Sequence, residues 1–422
     1  MIKNNSITYY LKNNERHFLI LLFIVTFLLR SIYAFIAFNN NNTASWADDW
    51  EYLSMGTQIS SGVWDPRIIN DGRHMQVAPL LPIIIAISLK IIGNSYIPIF
   101  ILNCILTSLL VPLLYLVGKE LFNRKIAILF SIWGLFYLDY CKYNPHLLKE
   151  PLVFFFLPLT LYYLIKSIKY DFKLFYIFVL SISFVLLIHS DERYFMYFPL
   201  LTMLFFVKRN MPREKIIKPI IQFTGIVFIL MTPWLIRNYI IFNQLVIISP
   251  RTTVFTSEII GSNINEMNFS YEDSQRDTIT ARKIKAIEFG KLHNITPYKF
   301  DKGQMYLKAI INYWQPAYIN PTFIQDGYRP QLWSLWHNLA GILLYGIFLP
   351  FYIIGLYFML KKKIYSGFII SLIPILHGII HIYMIWPLER YRSPTVFIIV
   401  CVSFYAISQI SEKIKNKMKC HF

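Results

Sequence analysis

The sequence predicts an all-α polytopic membrane protein, and three observations carry that expectation. Hydrophobic residues fill 56% of the 422 positions, aromatic residues 17% and charged residues only 15%, a composition far more apolar than that of a soluble domain. Apolar runs long enough to cross a bilayer recur along the chain, separated by short polar connections. The Lys and Arg residues behind the formal charge of +18 gather in those connections, which is how cytoplasmic loops are marked. The charge is therefore topology first, and no nucleic-acid partner is needed to explain it.

Residues 1–16 are polar, with Lys3, Lys12 and Arg16, and residues 17–38 form the first run. With no small-residue cleavage pattern after it, the run is expected to be a retained signal anchor whose N-terminal side is cytoplasmic. Arg30 interrupts its apolar face towards the outer end. Such a side chain either snorkels to the headgroups or faces a site.

Residues 39–78 make a first outer loop that holds Ala47-Asp48-Asp49-Trp50-Glu51-Tyr52, three carboxylates within four positions. Trp64-Asp65-Pro66-Arg67 and Asp71-Gly72-Arg73-His74 follow in the same loop. Pro79-Leu80-Leu81-Pro82 then opens an apolar run from Ile83 to Ile92, closed by Gly93-Asn94. That run is too short to span comfortably and reads as a helix lying in the outer interface.

The remaining runs are 98–118, 126–143, 147–165, 174–190, 194–207, 216–236, 338–360, 364–386 and 394–410, giving about ten spans with the first. Clusters at Lys119/Arg124/Lys125, Lys166/Lys169/Lys173, Lys208/Arg209/Arg213/Lys215/Lys218, Lys361/Lys362/Lys363 and Lys413/Lys415/Lys417/Lys419 fall in every connection that should be cytoplasmic. The chain thus divides into an N-terminal membrane module, 1–236, with its outer loop at 39–97; an outer segment, 237–336; and C-terminal membrane helices, 337–422. A polar segment as long as 237–336 is usually functional or a small domain, and Tyr271 to Lys308 carries the spacing of one or two surface helices. Cys104, Cys141, Cys401 and Cys420 have no metal-ligand spacing.

The short outer connections are rich in charge. Lys142-Tyr143-Asn144-Pro145-His146 leads to Lys149-Glu150-Pro151, His189-Ser190 to Asp191-Glu192-Arg193-Tyr194, and Pro387-Leu388 to Glu389-Arg390-Tyr391-Arg392. Each alone is an ordinary solvated helix end, but together they converge on one face. At the outer end of another span, Thr232-Pro233-Trp234-Leu235-Ile236-Arg237-Asn238-Tyr239 combines a bend, an interfacial indole and a fork of donors. The fork suits a phosphate, and it equally suits a headgroup anchor.

In order, these motifs resemble the GT-C class of polytopic glycosyltransferases, and most closely the bacterial family related to protein O-mannosyltransferases and to the aminoarabinose transferase of lipid A. The resemblance rests on Arg30, on Asp48-Asp49-Trp50-Glu51-Tyr52, on Pro79 to Gly93, on Glu150-Pro151, on Pro233 to Tyr239 and on Arg390-Tyr391-Arg392-Ser393-Pro394. Two departures stand out: the second acid of the family's Asp-Glu pair is Asp49, and Gln76-Val77-Ala78-Pro79 stands where aminoarabinose transferases carry Glu-Lys-Pro-Pro. The second argues against aminoarabinose transfer and leaves the sugar open.

The resemblance implies a GT-C bundle in a bacterial inner membrane that transfers a sugar from a polyprenyl-phosphate donor to a glycan, lipid or protein acceptor outside. An inverting displacement needs one base, and Asp48 is the candidate, with Asp49 beside it. The leaving phosphate needs no general acid, unlike the leaving group in glycoside hydrolysis. It needs cations, and Arg237 with Asn238, Arg390 and Arg392 are the first candidates, followed by Arg30, Lys149 and Arg193. Glu150, Glu51 and Tyr52 are candidates for orienting the sugar or acceptor. No resident cofactor is required; adjacent Asp48 and Asp49 leave room for a divalent ion, Mg²⁺ or Mn²⁺, but lack a third ligand. Two other classes compete: a polysaccharide polymerase, which relies on arginines without an acidic cluster, and a lipid-linked sugar transporter or flippase, which needs charges or broken helices at the midplane.

Overall fold

The computed structural model describes residues 14–39, 47–63, 77–93, 95–208, 212–242, 245–249, 307, 310, 311, 313–316, 339–384 and 389–419. Among them there are helices and turns and no strand, as a chain crossing lipid requires unless it closes a barrel. The loop motifs at 64–67 and 71–74, the helices expected between Tyr271 and Lys308 and most of 237–336 lie outside the described residues.

The first helix, α1 (Glu15–Asn39), is followed by α2 (Ala47–Ser60), which carries the acidic cluster, and α3 (Leu80–Ile92), the short apolar helix. Gly93 ends α3 with φ +82, a left-handed value that only glycine takes without strain. The bundle continues with α4 (Ile97–Leu121), α5 (Arg124–Phe136), the single turn α6 (Asp139–Lys142), α7 (Glu150–Lys169) and α8 (Leu174–Ser190). A 3₁₀ turn (Glu192–Tyr197), α9 (Phe198–Leu204) and α10 (Arg213–Phe242) complete the N-terminal part. After the outer segment come α11 (Phe348–Lys361), α12 (Tyr365–Ser371), α13 (Ile373–Met384), the turn α14 (Glu389–Arg392) and α15 (Val396–Lys419).

Seven helices among the described residues are long and apolar enough to cross a membrane, fewer than the ten runs in the sequence. Of the other three, the run 174–190 forms the 17-residue α8, and two take a different form. The run 126–143 is helical only to Phe136, where Tyr137 turns to an extended conformation and the chain re-enters a single turn at Asp139. That exit lets the Asp139 carboxylate accept from Tyr137 at 2.7 Å and Ser393 at 2.6 Å and pair with Lys142 at 2.8 Å, instead of entering lipid unpaired. The run 194–207 breaks because Pro199 can neither donate to the helix nor clear the carbonyl four residues earlier.

Helix α4 packs against α1, α5 and α7; α7 packs on α8, and α8 on α10. On the other side α15 closes against α11 and α5. The most apolar stretch of α15 is 72% buried and that of α7 67%, against 22% for α1 and α10, so α7 and α15 are the inner helices and α1 and α10 present their flanks to lipid. Close approach of α11 to α15 depends on Gly355, where a Cβ would stand 2.7 Å from the carbonyl oxygen of Val402.

Ion pairs give the bundle two distinct ends. At one end Glu15 meets Lys119 at 2.7 Å and Arg124 at 3.2 Å, Glu120 meets Lys169 at 2.7 Å and Asp171 meets Lys208, while Lys362 donates a hydrogen bond to the neutral Gln409 amide. These are the lysine-rich connections, and all lie together. The helix ends that the sequence groups as outer lie together at the opposite end.

Candidate functional site

The site is assembled from the starts and ends of helices at that second end. Two bonds from Asn103 Nδ2, to the carbonyls of Asn144 (3.2 Å) and His146 (2.9 Å), tie the turn before α7 to α4. Lys149 then caps α7, with Glu150 and Pro151 as its first residues. Proline is preset for that position and a carboxylate there faces the positive end of the helix dipole. At the end of α8, Asp191 leaves the helix in an extended conformation and caps the following 3₁₀ turn by accepting from the Arg193 N–H at 3.2 Å.

Asp191 holds two cations. Lys149 Nζ lies 3.1 Å from its Oδ2; Arg193 donates through Nε to Oδ1 at 2.7 Å and through Nη2 to Oδ2. Burial alone would raise this carboxyl, but Arg193 and Lys149 outweigh it and hold Asp191 far below the usual carboxylate range. Burial would likewise lower Arg193, and the Asp191 charge instead keeps it above its ordinary value. Opposite, Arg390 Nε stands 3.2 Å from Glu150 Oε1, and Glu150 Oε2 is buried with no hydrogen-bond partner among the described residues.

These side chains line one crevice with Tyr194, His377 and Tyr391. It sets three cations, Lys149, Arg193 and Arg390, against two carboxyl groups, Glu150 and Asp191, so positive charge is in excess. Its free space is about 10 Å³, room for one water-sized group. Among the described residues Lys149 spends one of its three N–H groups and Arg193 three of its five on side chains, leaving donors on both.

Asp49 is on α2, with Oδ2 3.4 Å from His146 Nδ1 and a buried Oδ1 that has no partner among the described residues. Asp48 lies in the first turn of α2, and its side chain is outside the described residues. On the same helix Tyr52 is 2% exposed and packs into the core, and Glu51 is half-buried. Among the described residues no three His, Cys, Asp or Glu side chains gather as a metal site.

The other cations are placed elsewhere. Arg30 does not snorkel: it is 3% exposed, donates through Nη2 to the Gly134 carbonyl at 3.1 Å and lies over the Tyr140 ring at 5.9 Å. Arg392 donates to the carbonyls of Tyr313 (2.6 Å) and Gln315 (2.7 Å) and covers the Tyr345 ring at 4.0 Å. Arg237 sits over Trp234 at 4.7 Å and donates to Asn238 Oδ1 at 2.7 Å. Asn238 is wholly buried, and its Nδ2 donates to the carbonyls of Val246 (2.9 Å) and Ile248 (3.1 Å), so its donors clamp backbone. The crevice therefore unites Lys149, Glu150, Arg193 and Arg390 with Asp191, His377 and Tyr391, which sequence reasoning had not selected. For Asp191 the signal was present, since it adjoins the Glu192-Arg193 pair at a helix end. For His377 there was none, because an imidazole inside an apolar run does not announce its partner.

The arrangement of helices is the GT-C fold of membrane glycosyltransferases. Residues 76–236 match the family profile described as dolichyl-phosphate-mannose-protein mannosyltransferase. The oligosaccharyltransferase of Archaeoglobus fulgidus in its apo form is similar with a TM-score of 0.57 at 13% identity, over 96% of this chain and 51% of that one. The oligosaccharyltransferase AglB from Archaeoglobus fulgidus, in complex with an inhibitory peptide and a dolichol-phosphate, is similar with a TM-score of 0.56 at 13% identity, over 97% of this chain and 52% of the other. The chain thus spans about half the length of these structures. No curated protein sequence matches it.

Proposed function

We propose that the protein is a membrane glycosyltransferase that moves a sugar from a polyprenyl-phosphate donor to an acceptor on the side where the crevice opens. The observation that carries this is the Lys149–Asp191–Arg193 cluster facing Arg390 and Glu150: buried, net positive, with donors to spare. Its space takes the oxygen of an anion rather than a whole sugar ring, which suits the phosphate of a leaving group. The profile match and the dolichol-phosphate in the archaeal complex support a lipid-phosphate donor.

In this reading an acceptor hydroxyl oxygen attacks the anomeric carbon, the bond from that carbon to the phosphate oxygen breaks, and configuration inverts. The hydroxyl proton passes to Asp48, and polyprenyl phosphate departs with the bonding pair, its charge met by Lys149, Arg193 and Arg390. Asp49 and Glu150, with Glu51 on α2, orient hydroxyls, whereas Tyr52 is packed in the core and anchors α2; Arg30, Arg237 with Asn238, and Arg392 hold the scaffold around the site. The reaction is proposed as metal-free, and activity that is lost on chelation and restored by Mg²⁺ or Mn²⁺ would overturn that part. The lysine-rich end faces the cytoplasm of a bacterial cell. The acceptor is a glycan, lipid or protein, and the sugar is a hexose or pentose.

The test is a transfer assay in membranes with a panel of polyprenyl-phosphate sugars and the host's own glycans and lipids. Turnover of one donor, with release of free polyprenyl phosphate, supports the transferase. Movement of intact lipid across the bilayer without cleavage would instead make the protein a transporter, and joining of two lipid-linked chains would make it a polymerase.

A further inference from the structure

Two histidines one turn apart on α13 lie beside Arg193, and the partners of His381 fix its protonation. His381 Nδ1 lies 2.8 Å from the His377 carbonyl oxygen and so donates to it, which leaves Nε2 as an acceptor. That Nε2 is 3.1 Å from Arg193 Nη1, a group that only donates. His377 Nε2 donates to the Tyr391 carbonyl at 2.7 Å, and its Nδ1 meets the Tyr197 hydroxyl, a group able to donate to it. The His381 ring is therefore neutral in this arrangement, and His377 and His381 are 3% and 1% exposed. The His381 ring also stacks on Tyr391, centroids 5.2 Å apart, and Tyr391 carries the Arg193 guanidinium on its face at 4.3 Å.

We infer that His381 is a positioning residue for Arg193, chosen as a neutral acceptor so that it holds the guanidinium without cancelling its charge. Asp191 takes the Nε/Nη2 edge and Tyr391 sets the plane. His381 takes an N–H of Nη1 and stops the group sliding along the carboxylate, which keeps its remaining donors on the crevice. A third carboxylate in place of His381 would fix Arg193 equally well. It would also balance the three cations, and the crevice would lose its preference for an anion. His377 supports the arrangement by setting the His381 tautomer with its carbonyl and by tying α13 to the Tyr391 backbone.

The inference rests on reading the crevice as the site of the donor phosphate, and one series of measurements separates the two. Full-length protein in detergent is titrated with geranylgeranyl phosphate, with geranylgeraniol as the phosphate-free control, and the shift in melting temperature gives an apparent affinity. Wild type is expected to respond to the phosphate alone. His381→Phe, which keeps a stacked ring and removes the acceptor, should weaken the affinity about tenfold, the effect of one charged hydrogen bond. His381→Gln, a neutral acceptor, should recover most of it, and His381→Glu should fall below both. Arg193→Met should weaken binding, and adding His381→Phe to it should cost nothing more. A wild-type response with unchanged affinity in His381→Phe would overturn the inference and leave the phosphate site standing. If His381→Phe fails to fold, equal affinity in the Gln and Glu variants would overturn it. The absence of any phosphate-dependent response in wild type would remove the phosphate site and the inference together.

Discussion

Lys149, the cap of α7, reaches Asp191, the residue that closes α8, at 3.1 Å, with both side chains nearly inaccessible. The two helices run antiparallel, and this contact joins their ends through a carboxylate that also grips Arg193. A buried carboxylate shared by two cations is costly to remove, because each cation is left without its counter-charge.

Asp191→Asn should therefore destabilise the protein by about 3–5 kcal/mol, the range for breaking a buried pair, read by denaturation in detergent. The pH dependence follows from the depressed native pKa of this carboxyl. Its stabilisation is complete above the unfolded value of about 3.9 and is lost as the pH falls towards the native value. The deficit of Asp191→Asn relative to wild type should be constant above about pH 5 and narrow in stronger acid. A deficit that instead shrinks as the pH rises through neutrality would contradict this assignment.

Asp48→Asn should abolish transfer, a loss of at least about a hundredfold expected for a general base, while expression and melting temperature stay at wild-type values. Asp49→Asn should cost less, since Asp49 already meets His146. Retained transfer in Asp48→Asn, measured with the donor identified for wild type, would take Asp48 out of the mechanism.

Gly355→Ala tests the packing that holds the C-terminal helices in place. A Cβ there would meet the Val402 carbonyl oxygen at 2.7 Å and its Cγ1 at 2.5 Å, so α11 and α15 must move apart. Overpacking of this kind costs about 1–3 kcal/mol. The melting temperature should drop without a change in the donor that is used; an unchanged melt would mean the two helices are not in close contact.

The two ends of the bundle were legible because charge excluded from lipid has few places to go. The lysine clusters mark one end, and the pairs Glu15–Lys119 and Glu120–Lys169 bring that end together. Part of the site was legible for the same reason: Lys149-Glu150 and Arg193 are charges at helix starts. The breaks at Tyr137 and Pro199 were hidden because hydropathy averages over a window and does not register where a backbone leaves the helix. Direction was hidden too. Asn238 reads as a water-facing donor, yet it clamps the chain at Val246 and Ile248 because α10 continues past it to Phe242.

Arg390 and Arg392 make the sharpest case, since the sequence offers them as one cationic motif. They sit two positions apart on a helical turn, about 200° around the axis, so they face opposite ways. Arg390 meets Glu150 in the crevice, whereas Arg392 holds the carbonyls of Tyr313 and Gln315. Arg390→Met should weaken donor use, raising KM for the lipid-phosphate donor by about tenfold or more, with the fold intact. Arg392→Met should leave three buried acceptors, two carbonyls and the Tyr345 ring face, without their cation. It should lower the melting temperature and speed proteolysis within 237–336, while folded protein keeps the wild-type KM. Limited proteolysis and donor kinetics on the two variants decide the matter: if both change KM alike, the arginines act as one phosphate clamp and the division of labour between them is wrong.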